Sequence, residues 1–422
     1  MTSSTSMDYV LFVLFCVIIV FQLSQRRTSA TSHDSGSTNL AGNPQSAATG
    51  PRSASLHSSA SKSKKCFRVS NIPASWDASH LRTWLQQLDE RWEPSTCIIS
   101  LYPSCYNTHQ TALVNMDNYP QCFKDIKPDE DKVLEAPEGA MLSVDYHFHD
   151  LTPLNIPDPD ITADVIAVAG HAFGSWRNHN SQQMWLQDFL PFDVRGVRVM
   201  TYGYDTNLAS TIDNSSILDL RRAFVQQLEN ARCFPAAKHR PIIFIGHSLG
   251  GILILQALIQ ASNTPQHKHL LDATRAFFLF GTPHQGLRTK ELEAMVDDLS
   301  GGVETARLKL LAQLKEGSEY LETQQESLAT IWNERKVFSF YETRSTPTVQ
   351  KSSQGHYERT GDMAEMVKKV SAQLFLSNEQ RIPIHQNHTE LVKFAHKGDT
   401  TYLTLLKHLR SCLDEINIHG GM

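Results

Sequence analysis

Three regimes of hydrophobic patterning follow one another along the chain. The first is a single block: Tyr9 to Leu23, "YVLFVLFCVIIVFQL", is apolar apart from Gln22 and is followed closely by Arg26 and Arg27. Residues 24–64 then carry no apolar period and are rich in Ser, Thr, Ala, Gly and Asn. Such a composition buries too little surface to offset its ordering entropy, so this stretch is expected to be a flexible tether. Regular patterning resumes at Cys66. "CFRVSNIP" predicts a strand, "DASHLRTWLQQL" an amphipathic helix capped by Asp77 or Ser79, and "TCIISLY" and "TALVNM" two further strands. A poor helix around "NYPQCFKDI" and a last strand, "AMLSVDYHF", complete a βαββαβ order. Residues 65–150 therefore read as a small α+β domain of ferredoxin-like type.

The third regime begins beyond "TPLNIPDPDI", where Pro153, Pro157 and Pro159 interrupt regular structure. "ADVIAVAG", "VRVMTYGY", "PIIFIG", "RAFFLFG" and "KVFSFYE" are near-continuous apolar runs, separated by helical stretches such as "MWLQDFL", "ILDLRRAFVQQLENA" and "GGILILQALIQA". Apolar strands alternating with helices belong to a parallel sheet covered on both faces. Residues 160–415 are accordingly expected to form an α/β domain.

Charge and cysteine usage narrow the function classes. A net charge of −5 over 422 residues provides no general field for nucleic acid. The small domain resembles an RNA-recognition motif in topology, with "RVSNIP" like its first strand, yet "TALVNM" offers no aromatic ring for a base to stack on. A structural or protein-contact role is expected there, and no specific nucleic-acid partner. The seven cysteines are scattered without CxxC or metal-ligand spacing, which points to a reducing compartment and no structural zinc; no metal or other cofactor is expected.

The apolar block of about 15 residues falls short of the ~20 that span a bilayer comfortably, and its flanks with some tilt make up the difference. Its positive charges follow the block instead of preceding it, unlike a secretory signal. The positive-inside tendency then keeps Arg26, Arg27 and everything after them in the cytosol. A single-pass anchor over 9–23 is expected, in the endoplasmic reticulum or mitochondrial membrane.

The chemistry is concentrated in "RPIIFIGHSLGGILILQAL", Arg240 to Leu258, which sets Gly246-His247-Ser248-Leu249-Gly250 between an apolar strand and a helix. A serine in a strand-turn-helix is the setting of a nucleophile elbow. Gly246 and Gly250 suit a turn with no room for a Cβ, and Gly251 extends that clearance. Ser248 would be the nucleophile, the Leu249 N–H at the helix start would face a developing oxyanion, and His247 would support the turn.

"RPIIFIGHSLGG", "FFLFGTPHQG", "RVMTYGYD", "GHAFGSW" and "IPIHQNHTELVKF" together resemble the serine-active-site-containing proteins, lipase-like α/β hydrolases common in fungi. The resemblance spans residues 150 to about 410. It implies an α/β-hydrolase fold and a triad in chain order Ser, acid, His. Glu342, at the tip of "KVFSFYET", is the expected acid, with Asp297 and Asp298 as alternatives. His388 in "QNHTELVKF", read as preceding a helix, is the expected base, with His385 and His356 competing. One departure stands out: the run Ala169-Gly170-His171-Ala172-Phe173-Gly174 is shorter than the family's Gly-rich loop. Gly170 or His171 would have to give the second oxyanion N–H, and a lost donor typically costs about 10²–10³ in turnover. The expectation is a membrane-tethered serine hydrolase acting on a carboxylic ester of lipid type, or a thioester. A weakly active or inactive hydrolase-fold module serving binding or signalling is the alternative.

The apolar block generates a direct test. Full-length chain should stay with membranes through alkaline carbonate extraction and lose that behaviour when residues 1–27 are deleted. A full chain that fractionates entirely as soluble protein contradicts the anchor.

Overall fold

The computed structural model describes residues 65–93, 97–106, 108–206, 215–332 and 335–420. The expected anchor over 9–23 and tether over 24–64 lie outside the described residues; among those described, no helix is long and apolar enough to cross a membrane.

The first unit is a five-stranded antiparallel sheet with strand order β2-β3-β1-β5-β4. Its strands are β1 (Lys65–Ile72), β2 (Ile98–Pro103), β3 (Gln110–Met116), β4 (Lys132–Glu135) and β5 (Met141–Asp145). Without β4 this is the ferredoxin-like order, and β4 is an added edge strand that the apolar pattern does not announce. The helix Ala78–Leu88 starts where Asp77 caps it, its Oδ1 accepting from the N–H groups of Ser79 at 2.8 Å and His80 at 3.0 Å. The helix expected near 118–126 is a single turn, Gln121–Lys124.

Period-two alternation gives this sheet two different jobs. Phe67, Val69, Ile72, Ala112 and Val114 pack with Leu81, Trp84 and Leu85 of the helix. Cys66 and Leu113 face the other way and join the buried cluster of Trp176, Met184 and Trp185 in the second unit. Arg68, on that same face, donates through Nε to Asp145 at 2.7 Å and through Nη1 to the His149 carbonyl at 2.6 Å and Thr152 Oγ1 at 2.8 Å. The Tyr102 hydroxyl accepts from Gln187 Nε2 at 2.9 Å. The face on which an RNA-recognition motif stacks bases is thus spent on the neighbouring unit, a stronger obstacle than the missing aromatic.

The second unit is built on a seven-stranded sheet. β6 (Asp150–Pro153), β7 (Ala163–Val168), β8 (Val197–Gly203), β9 (Ile242–His247), β10 (Thr274–Phe280) and β11 (Lys336–Glu342) are joined by an edge strand, Glu379–Ile384. From one edge to the other the order is Glu379–Ile384, β11, β10, β9, β7, β8, β6, all parallel except β6 against β8. Asp150–Pro153 falls where prolines suggested only a break; an edge strand tolerates Pro153 because one of its sides needs no ladder bond. "MWLQDFL" is likewise not one helix but two turns, Trp185–Asp188 and Leu190–Asp193, the second opening with Pro191.

Both faces of the sheet are covered. Ile242 and Phe244 point to the helices Ile217–Ala231 and Leu249–Asn263, while Ile243 and Ile245 point to Trp176, Trp185 and the terminal helix Thr400–Gly420. A mostly parallel sheet, helices on both faces, one antiparallel edge strand and a serine at the central strand-helix turn constitute an α/β-hydrolase fold.

At the end of the sheet remote from that serine, Asp164 is fully buried and meets three guanidinium groups. Arg198 donates from Nε at 2.9 Å and Nη2 at 3.0 Å, Arg240 from Nη1 at 3.1 Å, and Arg232 from Nη1. One carboxylate thereby ties β7 to β8, to the end of the helix Ile217–Ala231 and to the entry of β9. Removing one partner of a buried ion pair leaves uncompensated charge, so Asp164→Asn is expected to cost about 3–5 kcal/mol of unfolding free energy. Urea denaturation of the two proteins checks this; a loss under ~1 kcal/mol contradicts the role given to Asp164.

Candidate active site

The turn from β9 into the helix Leu249–Asn263 is sharp enough to force Ser248 to φ 54° and ψ −126°. A non-glycine residue held there stores roughly 1–3 kcal/mol, and the surroundings must over-determine it. They do so by close approach. A Cβ on Gly246 would stand 2.7 Å from Gly251 Cα, one on Gly250 would stand 2.1 Å from the Val168 carbonyl oxygen, and one on Gly251 would stand 2.0 Å from Thr282 Oγ1. The Ser248 N–H donates to the Phe280 carbonyl at 2.9 Å, locking the turn to β10.

Two side chains from later in the chain reach the Ser248 hydroxyl in series. His388 follows the edge strand Glu379–Ile384, and its Nε2 lies 3.0 Å from Ser248 Oγ. Its Nδ1 lies 2.6 Å from Oε2 of Glu342, the last residue of β11. Glu342 Oε1 accepts from the N–H groups of Met366 at 2.9 Å and Val367 at 3.2 Å. With a carboxylate at Nδ1, the imidazole carries its proton there and leaves Nε2 to accept from the serine. All three side chains are buried, at 1% exposure for Ser248 and 2% for Glu342 and His388.

The backbone of His388 is held as firmly as its ring. Its N–H donates to Thr346 Oγ1 at 3.1 Å, and its carbonyl accepts from His247 Nε2 at 3.1 Å. Burial pushes the His247 pKa well below the usual imidazole value, so this ring is a neutral donor. Gly281, at φ 52°, passes so close to the imidazole that a Cβ would stand 2.9 Å from His388 Cε1. The segment Thr389–Phe394 after His388 forms turns, not the expected helix, which begins only at Thr400.

The competing residues are elsewhere. Asp298 accepts from Lys351 Nζ at 2.7 Å and from the Tyr357 hydroxyl at 2.8 Å, and Asp297 is exposed on the same helix, Lys290–Ser300. His385 is exposed and stands 2.7 Å from Arg344 Nη2, while His356 sits in the hairpin turn between Gln350–Lys351 and Tyr357–Glu358.

The Leu249 N–H opens the helix beside Ser248. Val168 at the end of β7 is paired with Gly246, so the loop that follows starts alongside the elbow. Gly170 fits closely there, since a Cβ would stand 2.3 Å from Thr206 Cγ2. The loop passes directly into the short helix Ala172–Trp176. His171 caps that helix, its Nδ1 accepting from the Gly174 N–H at 2.9 Å. Burial lowers the His171 pKa to about 4, which keeps the ring a neutral acceptor and leaves only its backbone for any other task.

Several partners lie beyond the residues that motifs single out: Thr346, the amides of Met366 and Val367, and Thr282 against Gly251. "GTPHQG" is the segment of sequence that flags Thr282. Metal-ligating atoms within 4.8 Å of one another occur at Asp131, Asp145 and His147. Asp145 is already engaged by Arg68, and Asp131 contacts His147 at 2.7 Å, so these side chains already have partners within the chain.

No family model matches the chain. Among curated proteins it is similar to human Protein SERAC1, with 25% identity over 278 residues, covering 60% of this chain and 39% of that protein. Mouse Protein SERAC1 is 27% identical over 211 residues, covering 44% and 31%. The chain thus spans less than half of these relatives' length. They are vertebrate proteins, and the fungal character of the resemblance finds no support in them. Similar solved structures include the Bacillus licheniformis lipase BlEst2, with 15% identity, TM-score 0.40 and coverage of 61% of this chain and 97% of that one. Phospholipase PlaB from Legionella pneumophila has 16% identity and TM-score 0.36, covering 50% and 46%. Mouse alpha/beta hydrolase domain-containing protein 10 has 14% identity and TM-score 0.36, covering 68% and 99%.

The buried imidazoles make stability depend on acid. His284 in the "GTPHQG" loop is fully buried with neither ring nitrogen hydrogen-bonded, and burial lowers its pKa to about 3. Below about pH 6.5 the unfolded chain takes up protons that folded His247 and His284 refuse, so stability present above that pH is lost as pH falls. His284 alone contributes about 1.4 kcal/mol per pH unit between pH 5.5 and 4.5. Urea titrations over that window should show a slope about 1.4 kcal/mol per unit smaller in His284→Gln. Equal slopes contradict the assignment of His284 as a neutral buried group.

Proposed function

We propose that the chain is a serine hydrolase that cleaves carboxylic esters of lipid type, or thioesters, through an acyl-enzyme on Ser248. The observation that carries this reading is the unbroken hydrogen-bond chain from Ser248 Oγ through His388 to Glu342, at 3.0 and 2.6 Å. Ser248 Oγ attacks the acyl carbon while its proton passes to His388 Nε2. Glu342 stabilises the resulting imidazolium and fixes the ring, without taking the proton itself. The Leu249 N–H and the N–H of Gly170 or His171 receive the oxyanion. As the intermediate collapses, the imidazolium protonates the departing alcohol or thiol, and water activated by the same base releases the acid. Every step uses groups of this chain, with no metal or cofactor required.

Membrane tethering belongs to the same proposal, since an anchor ahead of the domain would hold it near lipid. Protein partners are unassigned. The short loop after β7 favours a second reading, a hydrolase-fold module with weak or no turnover. In the first reading, Ser248→Ala and His388→Ala each abolish ester hydrolysis almost entirely, because members of one catalytic unit do not act additively. Glu342→Gln should fold normally and lose about 10⁴ in kcat, as when a triad carboxylate is neutralised elsewhere. Equal turnover of wild type and Ser248→Ala on p-nitrophenyl butyrate would exclude this mechanism. A wild type without turnover would favour the module.

A further inference from the structure

Lys393 is a charged side chain that the triad does not use directly. It lies shortly after His388 in the turns Thr389–Phe394, and its side chain is wholly buried. A lysine taken out of water is costly unless its ammonium is paired. Two partners meet it: Nζ donates to Glu390 Oε1 at 3.0 Å within the same segment, and lies 2.7 Å from Nε2 of His179, far away in sequence. An ammonium has no lone pair, so Nε2 accepts, and the imidazole is neutral with its proton on Nδ1. Burial first, and then the charges of Lys393 and Arg177 against that of Glu390, lower the His179 pKa and keep the ring in that form.

His179 stands in a tight turn. Asn178 Oδ1 accepts from the N–H groups of Asn180 and Ser181, both at 3.0 Å, while its Nδ2 donates to the Lys393 carbonyl at 2.9 Å. Trp185 Nε1 donates to the adjoining Val392 carbonyl at 2.8 Å. Two consecutive carbonyls and one ammonium are thereby tied to residues 178–185. The ammonium tie alone carries charge, and charge-assisted hydrogen bonds are roughly twice as strong as neutral ones.

Both ends of this tie lead to the reacting groups. On one side, a Cβ on Gly281 would stand 2.9 Å from Leu391 Cδ1 and from His388 Cε1 alike, so one backbone position supports the segment and the imidazole together. On the other, Asn178 closely follows the helix Ala172–Trp176, which opens at His171 in the loop after β7. After burial and the neighbouring His388, the Lys393 charge also helps to hold His247 neutral, the ring that donates to the His388 carbonyl.

We infer that Lys393 and His179 are positioning residues, whose hydrogen bond keeps the His388 imidazole against Ser248 and in fixed relation to the loop after β7. The inference rests on the hydrolase reading above and concerns the same triad. Neither residue is assigned a proton transfer.

The test is steady-state hydrolysis of p-nitrophenyl butyrate by the full-length chain. His179→Leu removes the acceptor, and Lys393→Met removes the ammonium while keeping much of the stem's volume. Each should lower kcat by roughly 10–10² with KM little changed, the signature of a misplaced catalytic group. His179→Gln offers Lys393 an oxygen in place of Nε2 and should keep most of the wild-type kcat. The rate at which a fluorophosphonate modifies Ser248 should follow kcat across the series. His179 is half-buried, so the comparison of Leu with Gln there decides the matter even where Lys393→Met does not fold. Wild-type kcat in His179→Leu, or equal losses in His179→Leu and His179→Gln, overturns the positioning role while Ser248-dependent hydrolysis persists. Absence of Ser248-dependent hydrolysis by the wild type overturns the hydrolase reading beneath it, and the positioning role with it.

Discussion

Everything in the site depends on the backbone of one residue. Ser248 can sit at φ 54° only because β9 and the helix Leu249–Asn263 approach each other without side chains between them. Gly246 lets the strand meet Gly251, Gly250 admits the Val168 carbonyl, and Gly251 clears Thr282. Those contacts run from β9 outward to β7 and to the loop after β10, so the central strands of the sheet over-determine the turn. A strain of this size survives because the same strands are packed on both faces by large apolar side chains, among them Phe244 and Phe277 on one side and Phe278 and Phe280 on the other.

The second requirement is dryness. Ser248, His388 and Glu342 are almost wholly inaccessible, and the groups around them are neutral or fully paired. His247 is held neutral by burial and anchors the His388 carbonyl; Glu342 receives two backbone amides from an irregular segment between β11 and the last strand. In such surroundings a hydrogen bond is worth more than in water, and the imidazole has few ways to be misplaced. The small domain belongs to the same arrangement. Its sheet is consumed by the second unit through Cys66, Arg68 and Leu113, which makes it a wall beside the loop after β7 instead of a free binding surface.

Central strands are legible in the sequence because burial on both faces leaves a continuous apolar signature, as in "PIIFI" and "AFFLF". Edge strands are not. Asp150–Pro153 and Glu379–Ile384 each contain a proline and polar residues, which the same rules read as interruption. Glycine spacing singles out Ser248, a strand tip suggests Glu342 with Asp297 and Asp298 left as alternatives, and the family resemblance favours His388 over His385 and His356; in the structure Ser248, His388 and Glu342 form one hydrogen-bonded series. What the sequence leaves hidden is made of backbone: the Met366 and Val367 amides have no residue-type signature, and Thr346 and Thr282 are common residues whose roles arise from tertiary approach. The turn after His388 was hidden for a related reason, since Thr389–Phe394 has helical spacing but is drawn into the core at Leu391 and Val392.

The measurement that bears most directly on the central claim is the intact mass of the folded full-length chain after exposure to a fluorophosphonate, followed by peptide mapping. A nucleophile held in a strained turn and paired to His388 should take up one phosphonyl group, on Ser248, and none after the protein is unfolded in urea. No adduct on the folded chain, or an adduct on another serine while Ser248 stays unmodified, would contradict the account.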